Sequence, residues 1–216
     1  KNLMSKKLYL TSAGLTKENV ADFLEFYGKD PKGDKVAFIP TATNADEDAS
    51  WVNNVRKELT DLGFILTEVD IEKTHHQELS DVLSRQDVIF VNGGNTFYLL
   101  YWARVSGFDK IVAELIKQGK FYIGLSAGTI LVGNSVETAS WKGWDDPTIV
   151  NLDNWNGLGL VDFDTFVHYN PDHKTIIEQK INNLKGKLIC LTDQQAVAVI
   201  DDQYKIVGLG EKLELK

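Results

Sequence analysis

Phe121-Tyr122-Ile123-Gly124-Leu125-Ser126-Ala127-Gly128-Thr129-Ile130-Leu131-Val132 is the stretch on which the fold turns. Phe121 to Leu125 is a short apolar run that reads as a strand, and Ala127 to Val132 is compatible with a helix. A single serine joins them. The small residues Gly124, Ala127 and Gly128 permit the tight, strained turn that lifts Ser126 Oγ above a sheet edge. The same turn puts Ser126 at a helix N-terminus, where free backbone N–H groups and the helix dipole favour developing negative charge. The Ala127 N–H is then a natural oxyanion donor. A glycine-rich helix start that needs only a capping serine has the same composition, but the strand–turn–helix context favours a nucleophile.

Upstream, β-branched runs alternate with amphipathic ones. Strands are expected at Lys7–Thr11, Lys35–Pro40, Phe64–Ile71 and Asp87–Val91, with helices at Lys17–Tyr27, Trp51–Leu62, Gln77–Leu83, Thr96–Val105 and Phe108–Gln118. Strands separated by helices imply right-handed crossovers and an α/β fold: three layers around a doubly wound, mainly parallel sheet. Ligands of such sheets bind beyond the carboxyl ends of the strands. That rule points to Thr41-Ala42-Thr43-Asn44, Asn92-Gly93-Gly94-Asn95 and the turn at Ser126. The adjacent glycines let backbone amides approach a ligand, and the Gly94 N–H is the candidate second oxyanion donor. An ordinary strand-to-helix turn capped by Asn95 or Thr96 is the plainer alternative.

Downstream, Asn134 to Asp164 breaks the rhythm, holding Trp141, Trp144 and Trp155 among Gly, Asp and Asn. A long irregular stretch inside a compact domain is often functional, here as a lid over substrate or as a dimer contact. Thr165–His168 then reads as a strand, His173–Asn183 as a helix and Leu188–Thr192 as a strand. Ala196–Ile200 and Tyr204–Gly208 read as a C-terminal hairpin. A serine nucleophile needs a base. His75, His76 and His173 read as solvated, whereas His168 ends a strand and is expected at the sheet edge that carries Ser126. A carboxylate must orient that imidazole: Asp193 follows a strand, Asp145 and Asp146 lie in the Trp-rich stretch, and spacing does not choose among them.

Composition sets the limits. The 216 residues suit one α/β domain spanning 1–216, and the net charge of -8 argues against nucleic acid and anionic membranes as partners. The single cysteine, Cys190, lies in the apolar run Leu188-Ile189-Cys190-Leu191 and reads as a small core hydrophobe. No apolar stretch reaches the roughly 20 residues needed to cross a bilayer. The first residues lack the pattern of a secretory leader, so a cytoplasmic location is expected. No cofactor is implied: no histidine pair has metal-ligand spacing with carboxylates, and Gly93-Gly94 lacks the third glycine of a dinucleotide loop.

Gly93-Gly94-Asn95-Thr96-Phe97, Tyr122-Ile123-Gly124-Leu125-Ser126-Ala127-Gly128 and Leu158-Gly159-Leu160 with His168-Tyr169 together resemble the dipeptidase E (aspartyl dipeptidase) and cyanophycinase family of serine peptidases. The likeness runs from the first strand to the terminal hairpin. It implies a flavodoxin-like sheet akin to class I glutamine amidotransferases, with serine in place of the cysteine nucleophile. By that resemblance Ser126 is the nucleophile, His168 the base, and Gly94 and Ala127 the oxyanion hole. The family's acidic member maps to Asp193, favoured as the orienter, or to Asp146 beside Asp145. One departure stands out. Aspartate-specific members clamp the substrate with an arginine early in the helix after the histidine, and here His173-Lys174-Thr175-Ile176-Ile177-Glu178 has none. Lys174 is a poor replacement for a bidentate clamp.

The expected function is therefore a serine peptidase that cleaves small peptides through a Ser-His-acid triad and an acyl-enzyme, working as a monomer or homodimer. An esterase or amidohydrolase acting on a non-peptide substrate is the enzymatic alternative. Enzymes of α/β-hydrolase type run serine, acid, histidine along the chain, whereas Ser126, His168 and Asp193 run serine, histidine, acid. A non-catalytic protein binding an anion at the elbow is the alternative from another class.

Overall fold

The computed structural model describes residues 5–216, and the leader expectation rests partly on residues 1–4, which lie outside that range. Five parallel strands form the heart of the main sheet: β1 (Lys7–Thr11), β2 (Lys35–Ile39), β3 (Ile65–Glu68), β4 (Val88–Val91) and β5 (Phe121–Leu125). The antiparallel hairpin β8 (Gln195–Ile200) and β9 (Gln203–Gly208) completes it in the order β3-β2-β4-β5-β1-β8-β9.

Strand periodicity explains the two-faced core. Leu8 and Leu10 face one side and Tyr9 the other. On the first side they meet Leu79 and Leu83 of α3 (His76–Ser84), Phe97 and Leu100 of α4 (Thr96–Ser106), and Val112 and Ile116 of α5 (Phe108–Lys117). On the second, Tyr9, Phe38 and Phe90 pack with Phe23 of α1 (Val20–Tyr27) and with Val52, Val55 and Leu59 of α2 (Val52–Asp61). The α2 and α4 boundaries fall within a residue of the expected ones. The first helix begins three residues later than expected, at Val20, with its N-terminal residues spent on a turn.

The larger difference lies in the last third. The strand expected at Thr165–His168 is β6 (Phe163–Phe166), and that expected at Leu188–Thr192 is β7 (Lys187–Cys190). Neither joins the main sheet. They pair in parallel with each other, and β10 (Leu213–Leu215), not anticipated from the sequence, pairs antiparallel to β7 in a separate three-stranded sheet. The physical reason is that β8 already occupies the free edge of β1. Trp141, Phe166, Ile177, Leu188 and Cys190 form a small core beneath this second sheet. Cys190 is buried there, and burial pushes its thiol up to about 12, so it is the inert core residue expected. The expected helix 173–183 is broken into α7 (Lys174–Lys180) between two short 3₁₀ turns. No helix among the described residues is long and apolar enough to cross a membrane.

Candidate active site

Ser126 leaves the carboxyl end of β5, the strand flanked by β4 and β1. Its backbone is strained, with φ 50° and ψ -104°, a conformation rare for a residue with a side chain. Close packing holds the strain in place. A Cβ on Gly128 would stand 2.1 Å from the Val91 carbonyl oxygen, so only glycine lets α6 (Ala127–Ile130) sit this close to β4. Tyr122 donates its buried hydroxyl to the Gly128 carbonyl at 2.7 Å, and the Ser126 N–H bonds the Thr11 carbonyl at 3.1 Å. The serine is thereby presented half-buried, above the sheet.

His168 and Asp193 arrive from the second sheet. Phe166 of β6 and Cys190 of β7 are partners in a parallel ladder, so the segments that follow them leave on the same side. His168 therefore reaches the serine, although not by sharing its sheet edge as the sequence suggested. Its Nε2 lies 2.9 Å from Ser126 Oγ, and its Nδ1 lies 2.5 Å from Asp193 Oδ1. The hydrogen bond to His168 holds the Asp193 carboxyl below the usual carboxylate range, so at neutral pH this side chain only accepts. Nδ1 then carries the ring proton, and Nε2 is left to accept from the Ser126 hydroxyl.

Ser12, at the end of β1, ties the two sheets together and was not singled out in the sequence. Its hydroxyl oxygen accepts the His168 N–H at 2.7 Å and lies 3.2 Å from Asp193 Oδ1. Its position just beyond a strand, like those of Asn92 and Ser126, was the available signal. His168 itself takes a positive φ of 54°, a second strained residue at the site.

The remaining candidates separate clearly. Gly94 has φ 129°, and a Cβ there would stand 2.4 Å from the Ala42 carbonyl carbon, which explains the glycine. Among the described residues, neither the Gly94 N–H nor the Ala127 N–H is engaged by another group. Asp146 does not reach His168. Its carboxylate is exposed and accepts from the N–H and hydroxyl of Thr148, at 2.8 and 2.7 Å, capping a short 3₁₀ turn. Asp145 turns the other way, inward, where Oδ2 takes the Thr96 N–H at 2.8 Å at the start of α4. Lys174 pairs with Glu178 along α7, and neither lines the cavity at Ser126.

That cavity, about 490 Å³, is of the size that holds small organic ligands. Beyond Ser126 and His168 it is lined by Asp46, Glu58, Lys142, Trp144 and Asp145. The three tryptophans of the irregular stretch play three roles. Trp141 is buried in the second core, Trp155 packs on Phe97 at 4.9 Å between ring centres, and Trp144, 64% exposed, stands 5.9 Å from the His168 ring at the cavity mouth.

The chain is matched over residues 8–207 by Peptidase family S51. It belongs to that family. Its relatives include an uncharacterised peptidase, Lmo0363, of Listeria monocytogenes, 39% identical over 82% of this chain and 84% of that one. Peptidase E of Shewanella denitrificans is 30% identical over 90% of this chain and 82% of the relative. A Peptidase E candidate from Listeria monocytogenes EGD-e, solved by crystallography, superposes with a TM-score of 0.84 at 33% identity, covering 95% of this chain and all of that one. A peptidase from an acI-B1 actinobacterium shares the fold, with a TM-score of 0.72 at 16% identity. This chain is thus a serine-type peptidase of the dipeptidase E family.

Proposed function

We propose that the chain hydrolyses small peptides through an acyl-enzyme, with Ser126 as nucleophile, His168 as general base and Asp193 as its orienter. The observation that carries this reading is the continuous relay from Ser126 Oγ through the imidazole to Asp193, at 2.9 and 2.5 Å. Ser126 Oγ attacks the scissile carbonyl while His168 Nε2 takes its proton. The oxyanion forms against the unengaged N–H groups of Gly94 and Ala127. His168 then protonates the leaving amine, water enters, and the same imidazole draws a proton from it to release the acyl group. Asp193 stabilises the imidazolium without taking the proton. The chain order serine, histidine, acid separates this arrangement from α/β-hydrolase esterases.

Intact-protein mass after treatment with a fluorophosphonate tests the reading. One adduct is expected on the wild type and none on Ser126→Ala or His168→Ala. Folded wild-type protein that takes up no adduct would overturn it in favour of anion binding at the elbow. Faster turnover of p-nitrophenyl esters than of any dipeptide would favour the esterase alternative.

A further inference from the structure

Two tryptophans stand at the Ser126 cavity, one beside the serine and one beside the histidine. Trp51 is 36% exposed and Trp144 64%, and both line the cavity. Single apolar residues scattered over a surface are ordinary. Two indoles converging on the reacting atoms are a patch, and a patch of that kind marks a place where something binds.

Each ring is held in its place. A Cβ on Gly93 would stand 3.4 Å from Trp51 Cη2, 3.2 Å from Ser126 Cβ and 2.9 Å from Leu125 Cδ2. The tip of the indole, the leucine and the serine therefore gather over a bare glycine. Val55, four residues further along α2 and so on the same face, extends this apolar wall. Trp144 is fixed from one face. Lys142 Nζ lies 3.8 Å from the centre of its ring and 5.0 Å from that of the buried Phe166, anchored by donation to the Val167 carbonyl at 2.8 Å. An ammonium over one face pins an indole that would otherwise rotate in solvent, and leaves the opposite face open. His173 packs against the same ring at 6.2 Å.

We infer that Trp51 and Trp144 bracket the side chains on either side of the scissile bond, so that the enzyme selects small peptides carrying large apolar or aromatic residues there. The inference rests on the hydrolytic role of Ser126 proposed above. The acyl residue is bonded to Ser126 in the intermediate, and its side chain packs on Trp51, Val55 and Leu125. The leaving residue takes its proton from His168, and its side chain stacks on the open face of Trp144. Among the described residues no arginine lines the cavity. An acidic side chain would lose its hydration against these rings and find no bidentate partner in return.

The test measures kcat/KM for alanyl-alanine, phenylalanyl-alanine, alanyl-phenylalanine and aspartyl-alanine on the wild type and on alanine and phenylalanine replacements of Trp51 and Trp144. The wild type should favour each phenylalanine dipeptide over alanyl-alanine by about ten-fold or more, chiefly through KM. Trp51→Ala should remove the preference for phenylalanyl-alanine, and Trp144→Ala that for alanyl-phenylalanine. Trp51→Phe and Trp144→Phe keep an aromatic face and should retain most of it. Each preference is a ratio taken within one protein, so a general loss of activity cancels. Alanyl-alanine or aspartyl-alanine cleaved as fast as the phenylalanine dipeptides by the wild type, or preferences that survive both alanine replacements, would overturn the inference. Fluorophosphonate labelling of Ser126 would still stand in that case. Labelling with no dipeptide cleaved would overturn it together with the peptide reading, and folded wild type that takes no label would bring down the hydrolytic reading and this one with it.

Discussion

Ser126 and His168 meet from two unlike parts of the molecule, and the contrast explains how the site is held. The serine stands on β5, buried between β4 and β1 at the centre of a seven-stranded sheet. Its strained backbone is enforced by shape, because Gly128 admits no side chain against Val91 and Tyr122 braces the turn from below. The base side is built differently. His168 and Asp193 leave two short strands over a small core, Asp193 is largely exposed, and hydrogen bonds through Ser12 do the positioning. Close packing locates an atom at the cost of tolerance to substitution, since any added volume strains a dense interior. Hydrogen bonds on an open surface are more forgiving of the fold and less forgiving of the chemistry. Stability should therefore be lost by changes on the serine side, and turnover by changes on the base side.

The largest effect is expected at Asp193. Replacing it with asparagine should lower kcat by on the order of 10³–10⁴, because the imidazole loses both its tautomer and its counter-charge. The melting temperature should hardly move, since 63% of that side chain is exposed. Steady-state kinetics beside thermal unfolding will show it, and a loss below ten-fold would mean the base is oriented by another group. Next comes Gly128→Ala. The methyl would fall 2.1 Å from the Val91 carbonyl oxygen, and urea unfolding should register a loss of about 3 kcal/mol. An unaffected midpoint would show the elbow to be softer than its geometry suggests.

The smallest concerns Lys142, which sits where the two halves meet. Its folded-state pKa is lowered to about 8 from the ordinary 10.5, so between those values the unfolded chain binds more protons than the folded one. Stability should then rise with pH across that window, by about 1 kcal/mol after solvent screening. Lys142→Met should flatten the rise. Unfolding free energies measured at pH 8 and above will decide, and an undiminished slope in the variant would assign the effect elsewhere.

Much of the fold was legible because the main sheet obeys local rules. The runs Lys35-Val36-Ala37-Phe38-Ile39 and Val88-Ile89-Phe90-Val91 are apolar throughout because both faces of those strands are covered, and Gly107 ends α4 at a positive φ of 80°. The elbow was legible for the same reason, since its strand, turn and helix are contiguous in the chain. β10 was not, because Leu213-Glu214-Leu215 is too short to carry a period and becomes a strand only against β7. Spacing left Asp193 and Asp146 open as carboxylates on loops, and only the family resemblance favoured Asp193. Only the parallel pairing of β6 with β7 brings the first to His168, while Thr148 claims the second.

Chain-local physics was enough for the alternation of strands and helices up to β5, the strained serine turn, the glycine loop after β4 and the buried cysteine, because each depends on neighbours within a few residues. Long-range pairing decided the rest. With β8 on the edge of β1, the last strands were left to build a second sheet, and that sheet delivers His168 and Asp193 to the serine. Sequence periodicity reports which face of an element is buried, not which distant element buries it.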